Sequence, residues 1–542
     1  MVDDEHLVTW GTPRHPVAVE GPVGEFLRRH IGAAEAWPME PAAPLSPCRL
    51  SAEDLEALAA VVGSAHVDIE EPTRLAATGG ASYLDWVRHR AGDRSDAPDA
   101  VVRPSTDDEV VRVLRIAEER GIVVVPHGGG TSVVGGLRET RPHVALVLDR
   151  LGLLLNVDEV SHLAVVGPAA TGPRLEPLLA ARGLTLGHIP QSWARASIGG
   201  YVATRSAGQA STGYGRIDDM VEAMTVATPR GLLHLGRGPS SAAGPDLRSL
   251  FIGSEGTLGV ITDVTLRVRP LPSERRYEAV VFPSFAAGVA AFRAIAQGRV
   301  TADVMRLSDE AETRTSLALS GPKGAAAAAL GRYLRARGVD VGQSALAILG
   351  WEGTDGAYVI DRRRATWRIL KDHGAVALGR RAGESWRRGR LDGPFLRDAL
   401  MDAGYLVETL ETACDWRGYL DLHENLTRAI SDALETSAGQ PYVMSHLSHV
   451  YETGASLYTT IIAAADRGDP QGQWQGAKEA AMQSIVSAQA TVTHHHGVGR
   501  DHAPWLADEW GVLGVDAISA VKSVLDPAGV LNPGVLLPDT AP

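Results

Sequence analysis

The spacing of apolar residues changes period repeatedly from residue 97 onward, and each change marks an element. In "RPSTDDEVVRVLRIAEERG" Val110, Val113, Leu114 and Ala117 fall three and four apart, which sets them on one stripe of a helix. Thr106 with Glu109 three positions on predicts a capping box at its start, and Gly121 suits its end. "IVVVP" is a short unbroken apolar run and predicts a buried strand; "VALVLD", "LAVVGP" and "GVITDVTLRVRP" also read as strands. Beyond "RPLPSE" a second set begins with strand-like "RRYEAVVF", an alanine-rich helix and "ALAILGWEG". Alternation from Ala455 to Tyr458 predicts one more strand inside "SHVYETGASLYTT". Residues 12–48, rich in proline and alanine, read as irregular. No repeat with a period of about 20–50 residues is present.

These shifts divide the chain into an N-terminal segment (1–96), a first strand-and-helix domain (97–272), a second one (273–490) and a terminal segment (491–542). The first domain reads as α/β or α+β. At 542 residues the chain exceeds the size at which a single core stops growing, so two or more domains are expected. There are 52 Lys and Arg against 65 Asp and Glu, a net −13. With no basic block to neutralise phosphates, nucleic acid is an unfavoured partner. Two cysteines, Cys48 and Cys414, cannot make a disulfide framework or a zinc–thiolate site, which fits a reducing compartment. The opening "MVDDEHLVTWG" lacks the apolar core of a secretory signal. No run of about 18 apolar residues occurs, and "DTAP" is not a peroxisomal tripeptide. A cytoplasmic enzyme is the expectation.

Candidate chemistry begins with glycine. "PHGGGTSVVGG" follows an apolar strand directly, and glycines there let successive N–H groups point into one concavity suited to phosphate. It has neither the G-x-G-x-x-G spacing of a Rossmann loop nor the Gly-Lys-Ser/Thr ending of a Walker loop. "PQSWARASIGGYVATRSAGQASTGYGRIDDMV" and "GSEGTLGVITDVTLRVRP" add two more polar, glycine-rich clusters beside apolar strands. The three look like walls of one extended site.

Together with the terminal "LDPAGVLNPG", these segments resemble the FAD-binding domain of the vanillyl-alcohol-oxidase type flavoproteins. The resemblance implies an α+β fold: a two-subdomain FAD-binding domain of the p-cresol-methylhydroxylase type, an α/β cap domain for substrate and a helical C-terminal part. It implies that Gly128, Gly129, Gly130, Thr131 and Ser132 cradle the FAD pyrophosphate, with Pro126 also at the cofactor. Gln191, Ser192, Ser197, Gly199, Gly200, Thr204, Ser206, Gly208 and Gly215 would line the ribityl and ring region. Glu255, Gly256, Thr257, Gly259 and Ile261, with Asn532 of the tail, would complete the site, Ile261 touching the adenine end. Neither cysteine lies in a glycine loop, so the flavin is expected to be non-covalent.

Beyond residue 300, "ADVMRLSD", "FLRDALMDAGYLVETLETACDW", "SHLSHVYETGASLYTT" and "THHHGVGR" each place a titratable or cationic group in an apolar setting. Read alone, the three histidines are open to catalysis, to a polar turn, or to a metal site with His494 and His496 facing one way on a strand near His502. The four motifs together are similar to the alkyldihydroxyacetonephosphate synthases, the ether-lipid branch of these flavoproteins, and the match runs back to Trp10 and Gly11. The branch exchanges the acyl group of acyl-dihydroxyacetone phosphate for a fatty alcohol through an adduct at flavin N5. The resemblance therefore implies Tyr458 as acid/base, with His494, His495 and His496 assisting, Arg306 and Arg397 holding anionic groups, and no metal. A tyrosine in that role needs flanking cations or histidines to lower its pKa. The sequence departs from the branch at Gln191, at Arg417 and in "LYTTII". An oxidase or dehydrogenase of a 2-hydroxy acid, on the same FAD fold, is the alternative, and a non-catalytic flavin-binding protein the third reading. The implied partner is a small-molecule or lipid substrate; peripheral membrane contact and a homodimer stay open.

Overall fold

The computed structural model describes residue 19 and residues 21–435 and 439–538. Trp10 and Gly11 lie outside the described residues. The helix expected after Thr106 spans Asp107–Arg120, with the Thr106 side chain accepting from the Glu109 N–H and left-handed Gly121 closing it. Glu109 turns its carboxylate to Ser105 rather than back to Thr106, so the capping box is one-sided. Val110, Val113, Leu114 and Ala117 pack against Val124, Val144 and Leu146. Those residues belong to a four-stranded sheet ordered Val67–Asp68, Ala100–Val102, His143–Val147, Val123–His127, with the last three strands parallel.

A second sheet of five antiparallel strands runs in the order Leu154–Asp158, Leu163–Val166, Val260–Arg267, Val221–Thr228, Gly231–Leu235. "LAVVGP" and "GVITDVTLRVRP" are thus neighbours in space across about 100 residues of chain. The two sheets form two subdomains of the first strand-and-helix domain. Between Pro270 and Glu274 the chain leaves them, and every later strand joins one seven-stranded sheet. Its order is Val376–Gly379, Glu274–Phe282, Ala345–Gly353, Val304–Ser308, Tyr442–Leu447, Gly454–Ala464, Tyr405–Asp415.

The tail comes back to the first sheet. Val124 donates to the Val530 carbonyl and accepts from the Asn532 N–H, so "GVLNPG" pairs along Val123–His127 as an added edge. Asp526 fixes this turn by accepting from the N–H groups of Val530 and Leu531 while Lys522 neutralises it. One expectation fails nearby: residues 12–48 are not wholly irregular, since Pro22–His30 forms a helix. Proline at its first position is preset for helix, and Leu27 with Ile31, four apart, is buried in the core. No helix among the described residues is long and apolar enough to cross a membrane.

Candidate active site

One large cavity, about 490 Å³, lies between the glycine-rich loops and the seven-stranded sheet. Its floor follows from strand pairing. In antiparallel strands directly opposed residues share a face, and Tyr458 stands opposite Glu411 on one side and His446 on the other. Moving along the same face, Thr460 opposes Thr409 and Met444, and Ile462 opposes Val407. Polar chemistry thus collects at the Tyr458 end of the floor and apolar side chains at the Ile462 end.

The histidine segment is not a strand. It runs as a turn along the open edge of the sheet, where Thr491 N–H donates to the Ala413 carbonyl and His494 N–H to that of Glu411. The reading of His494 and His496 as a same-face strand pair therefore falls. His502 is taken up by Lys478 Nζ, 2.6 Å from Nε2, and by the Gly497 carbonyl. Four imidazoles instead gather on one buried carboxylate. Glu411 contacts His495 Nδ1, lies 3.4 Å from His494 Nδ1 and 3.9 Å from His496 Nε2, and His449 Nε2 stands at 4.0 Å. Glu411, His449, His494 and His495 keep their ligand-type atoms within 4.8 Å of one another, and both Glu411 oxygens are buried without a hydrogen-bond partner among the described residues.

Electrostatics here follow burial. It pushes Glu411 up to about 7 against the pull of His496 and His446, and holds His495 and His449 well below the ordinary imidazole value. The expected lowering of Tyr458 does not occur: burial drives the phenol up to about 12, beyond what Thr409 and Arg306 offset. At neutral pH Tyr458 is a proton donor, stacked on His446 at 4.6 Å between ring centres, and the imidazoles are the acceptors.

Both predicted arginines line the cavity, with different freedom. Arg306 spends its two terminal nitrogens on His446 Nε2 at 2.9 Å and Glu312 at 2.7 Å. Burial would raise Glu312, but Arg306 and His446 outweigh it and hold the carboxyl at about 2. Arg306 is thus the anchor of the imidazole beside Tyr458. Arg397 is 8% exposed, and its Nε and Nη2 have no hydrogen-bond partner among the described residues. A buried guanidinium with open donors costs free energy unless an anion completes it.

The residues expected to hold the cofactor gather on the opposite wall. Pro126, Gly128, Gly129, Gly130, Thr131, Ser132, Gln191, Ser192, Ser197, Gly199, Gly200, Thr204, Ser206, Gly208, Glu255, Gly256, Gly259 and Ile261 all line the cavity. The amides of Gly129, Gly130 and Thr131 donate to no other group among the described residues, as a phosphate cradle requires. Four expectations are corrected. Gly215, at φ +92°, ends a short helix against Asp219. Thr257 gives its hydroxyl to the Val535 carbonyl, and Asn532 gives its amide to the carbonyls of Gly136 and Glu255, so both tie the tail behind the wall. His494 opens onto a second cavity instead. Sequence reading passed over Glu411, His446, His449 and Glu312. The signal for Glu411 was a carboxylate inside the apolar run "YLVETLETA"; its partners come from pairing that no local pattern encodes.

Two consequences are measurable. A Cβ on Gly129 would overlap the Arg195 carbonyl, backbone that cannot swing away. Overpacking costs about 1–3 kcal/mol, so Gly129→Ala raises the dissociation constant of the flavin roughly tenfold or more, read by fluorescence of flavin released on dilution. Glu255 accepts from the N–H groups of Val498 and Gly499 at 2.8 and 2.7 Å, locking the histidine loop, and Gly497 is glycine because a Cβ would strike that carboxylate. Burial nonetheless lifts Glu255 to about 7. A carboxyl whose folded pKa is raised gives its full stability below the unfolded value and loses it as pH climbs through the folded one. Relative to Glu255→Gln, the wild type therefore loses on the order of 3 kcal/mol between about pH 4.5 and 7.5, measured as the difference in thermal midpoints.

Comparison with known proteins places these features. Residues 98–236 match a family model described as an FAD binding domain, and residues 271–536 one described as FAD linked oxidases, C-terminal domain. The alkyldihydroxyacetonephosphate synthase of Trypanosoma brucei brucei is 32% identical over 495 residues, 89% of this chain and 80% of that protein. A solved alkyldihydroxyacetonephosphate synthase superposes with a TM-score of 0.81 at 27% identity, covering 96% of this chain and 91% of that one. p-Cresol methylhydroxylase, at 16% identity and a TM-score of 0.71, shares the fold, with 91% of this chain and 98% of that one covered. The unpaired amides and the strand-edge loops fit the group these models name, and FAD is the cofactor of this chain. With its FAD wall on two sheets and a tyrosine, histidine and arginine floor on the third, the chain belongs to the alkyldihydroxyacetonephosphate synthase family of FAD-linked enzymes.

Proposed function

We propose that this protein exchanges the acyl group of an acyl-dihydroxyacetone phosphate for a fatty alcohol, releasing a fatty acid and leaving an ether. The observation that carries the reading is Arg397, a buried cation with two open donors, set in a cavity whose other surfaces are largely apolar. A guanidinium fork matches a phosphate bidentately, and Val407, Leu396, Leu400, Met444 and Ile462 offer an alkyl chain a dry wall beside it.

Bound FAD supplies an electron-poor ring able to stabilise charge transferred from the substrate carbon. The protein supplies the rest. Arg397 fixes the phosphate. His496, neutral and with its ring centre 5.6 Å from that of Tyr458, accepts the proton beside the carbonyl, while Glu411 behind its Nε2 shares the charge. Tyr458 holds its proton ready for the leaving carboxylate, and Arg306 with Glu312 keeps His446 stacked against it. A lipid substrate also favours peripheral contact with a membrane from the cytoplasmic side.

The test is a product assay under argon with a C16 acyl-dihydroxyacetone phosphate and hexadecanol. Ether and free fatty acid form in equal amounts without an electron acceptor. Absence of ether, together with reduction of a dye by a 2-hydroxy acid, would make the protein a redox enzyme instead.

A further inference from the structure

Strand Tyr405–Asp415, at the edge of the seven-stranded sheet, carries Glu411 to the place where the histidine loop docks. Glu411 is 3% exposed, and neither of its oxygens has a hydrogen-bond partner among the described residues. Its ion-pair neighbours among those residues are all imidazoles: His449, His494, His495 and His496. A buried carboxylate in that state is costly unless a cation and further donors complete it.

The imidazole nitrogens crowd toward the same spot. His494 Nδ1 lies 3.4 Å from one Glu411 oxygen and 3.2 Å from His495 Nδ1, which itself contacts the other oxygen. His449 Nε2 is the furthest, 4.0 Å from the first oxygen, and its Nδ1 is buried without a partner among the described residues. A tetrahedral ion with bonds of about 2.0–2.1 Å sets its ligand atoms about 3.3–3.4 Å apart, the separation found around His494. Two imidazole lone pairs at 3.2 Å repel unless a proton or a cation stands between them.

We propose that Glu411, His449, His494 and His495 form a binding site for a divalent transition-metal ion of the zinc class. Three imidazoles and one carboxylate favour such ions over Mg²⁺ and Ca²⁺, which take oxygen ligands. Tyr451, its hydroxyl 2.7 Å from His494 Nε2, takes the proton on that nitrogen and so turns the Nδ1 lone pair toward Glu411. The set differs from the His494, His496 and His502 combination open to the sequence. His502 is held by Lys478, and His446 by Arg306 and Glu312. His496, 3.9 Å from Glu411, stays outside the set and faces the first cavity. The ion joins the edge strand, the turn before Gly454–Ala464 and the loop after Thr493, and so fastens the histidine loop to the sheet. His449 and His495 also line the first cavity, which puts the ion in its wall whatever substrate the cavity takes.

The experiment uses the full FAD-loaded chain, stripped with a chelator and titrated with Zn²⁺ or Co²⁺, with bound metal counted per FAD by mass spectrometry. One ion per FAD is expected, with Co²⁺ giving ligand-field bands to the red of the flavin and Zn²⁺ raising the thermal midpoint of the stripped protein. Glu411→Gln and His494→Ala lower the affinity for zinc at least tenfold, and Tyr451→Phe lowers it about tenfold, with FAD content unchanged. A wild type that takes up no stoichiometric metal overturns the site, and that titration decides even where a variant fails to fold. Zinc bound as tightly by Glu411→Gln and His494→Ala as by the wild type overturns it as well, since the metal is then held elsewhere.

Discussion

Tyr458→Phe keeps its FAD and its fold but forms ether about 10²–10⁴ times more slowly, the range for removing a positioned proton donor. The effect falls on kcat, because in the proposed mechanism the hydroxyl meets the reacting group and not the phosphate. Phenylalanine fills the same volume, so the stack on His446 and the packing between Glu411 and His446 across the strands survive. The buried phenol, pushed up to about 12, stays protonated across the neutral range. Wild-type kcat should therefore show no limb from Tyr458 below pH 9. Steady-state rates of ether formation with matched FAD content check this. A variant within a few-fold of wild type would remove Tyr458 from the chemistry.

Arg397→Ala raises KM for acyl-dihydroxyacetone phosphate, and lowers kcat/KM by about 10²-fold. Truncating one partner of a buried, hydrogen-bonded charge pair costs about 2–5 kcal/mol, and in the proposed mechanism the partner lost is the one that meets the phosphate. Glu408 lies near enough for Arg397 to pull its carboxyl down against burial, so the variant also loses that compensation and is modestly less stable. Arg397→Lys restores the charge without the fork and recovers part of the loss. Substrate kinetics of the three proteins, with thermal midpoints as control, separate binding from folding. Equal KM in all three would send the phosphate elsewhere in the cavity.

Much of the cofactor wall was legible because its signal is local. A glycine run after an apolar strand reads as a tight turn or a close backbone approach to a ligand, and the loops at 126–132, 191–208 and 255–261 meet in one cavity. The misses on that wall have a common cause. Gly215, Thr257 and Asn532 carry the right residue types in the right segments, yet their donors and turns serve the protein's own backbone. Composition cannot tell a residue that faces a ligand from one that supports the loop behind it.

The floor was harder. Tyr458, His495, His496 and the two arginines stood out by type, but Glu411, His446 and His449 are neighbours only through cross-strand register and a loop docked on a sheet edge. The direction of the Tyr458 shift was misjudged for the same reason. Flanking cations were anticipated, whereas depth of burial, a property of the whole fold, decides the sign. His494 shows the limit of a motif: three adjacent histidines face two different cavities.

The most direct measurement is the absorption spectrum of the yellow holoenzyme under strict exclusion of oxygen, titrated first with acyl-dihydroxyacetone phosphate and then with a fatty alcohol. The flavin band bleaches on the first addition and returns on the second with no oxidant present. Bleaching by a simple 2-hydroxy acid, reversed only by oxygen or an electron acceptor, would contradict the account.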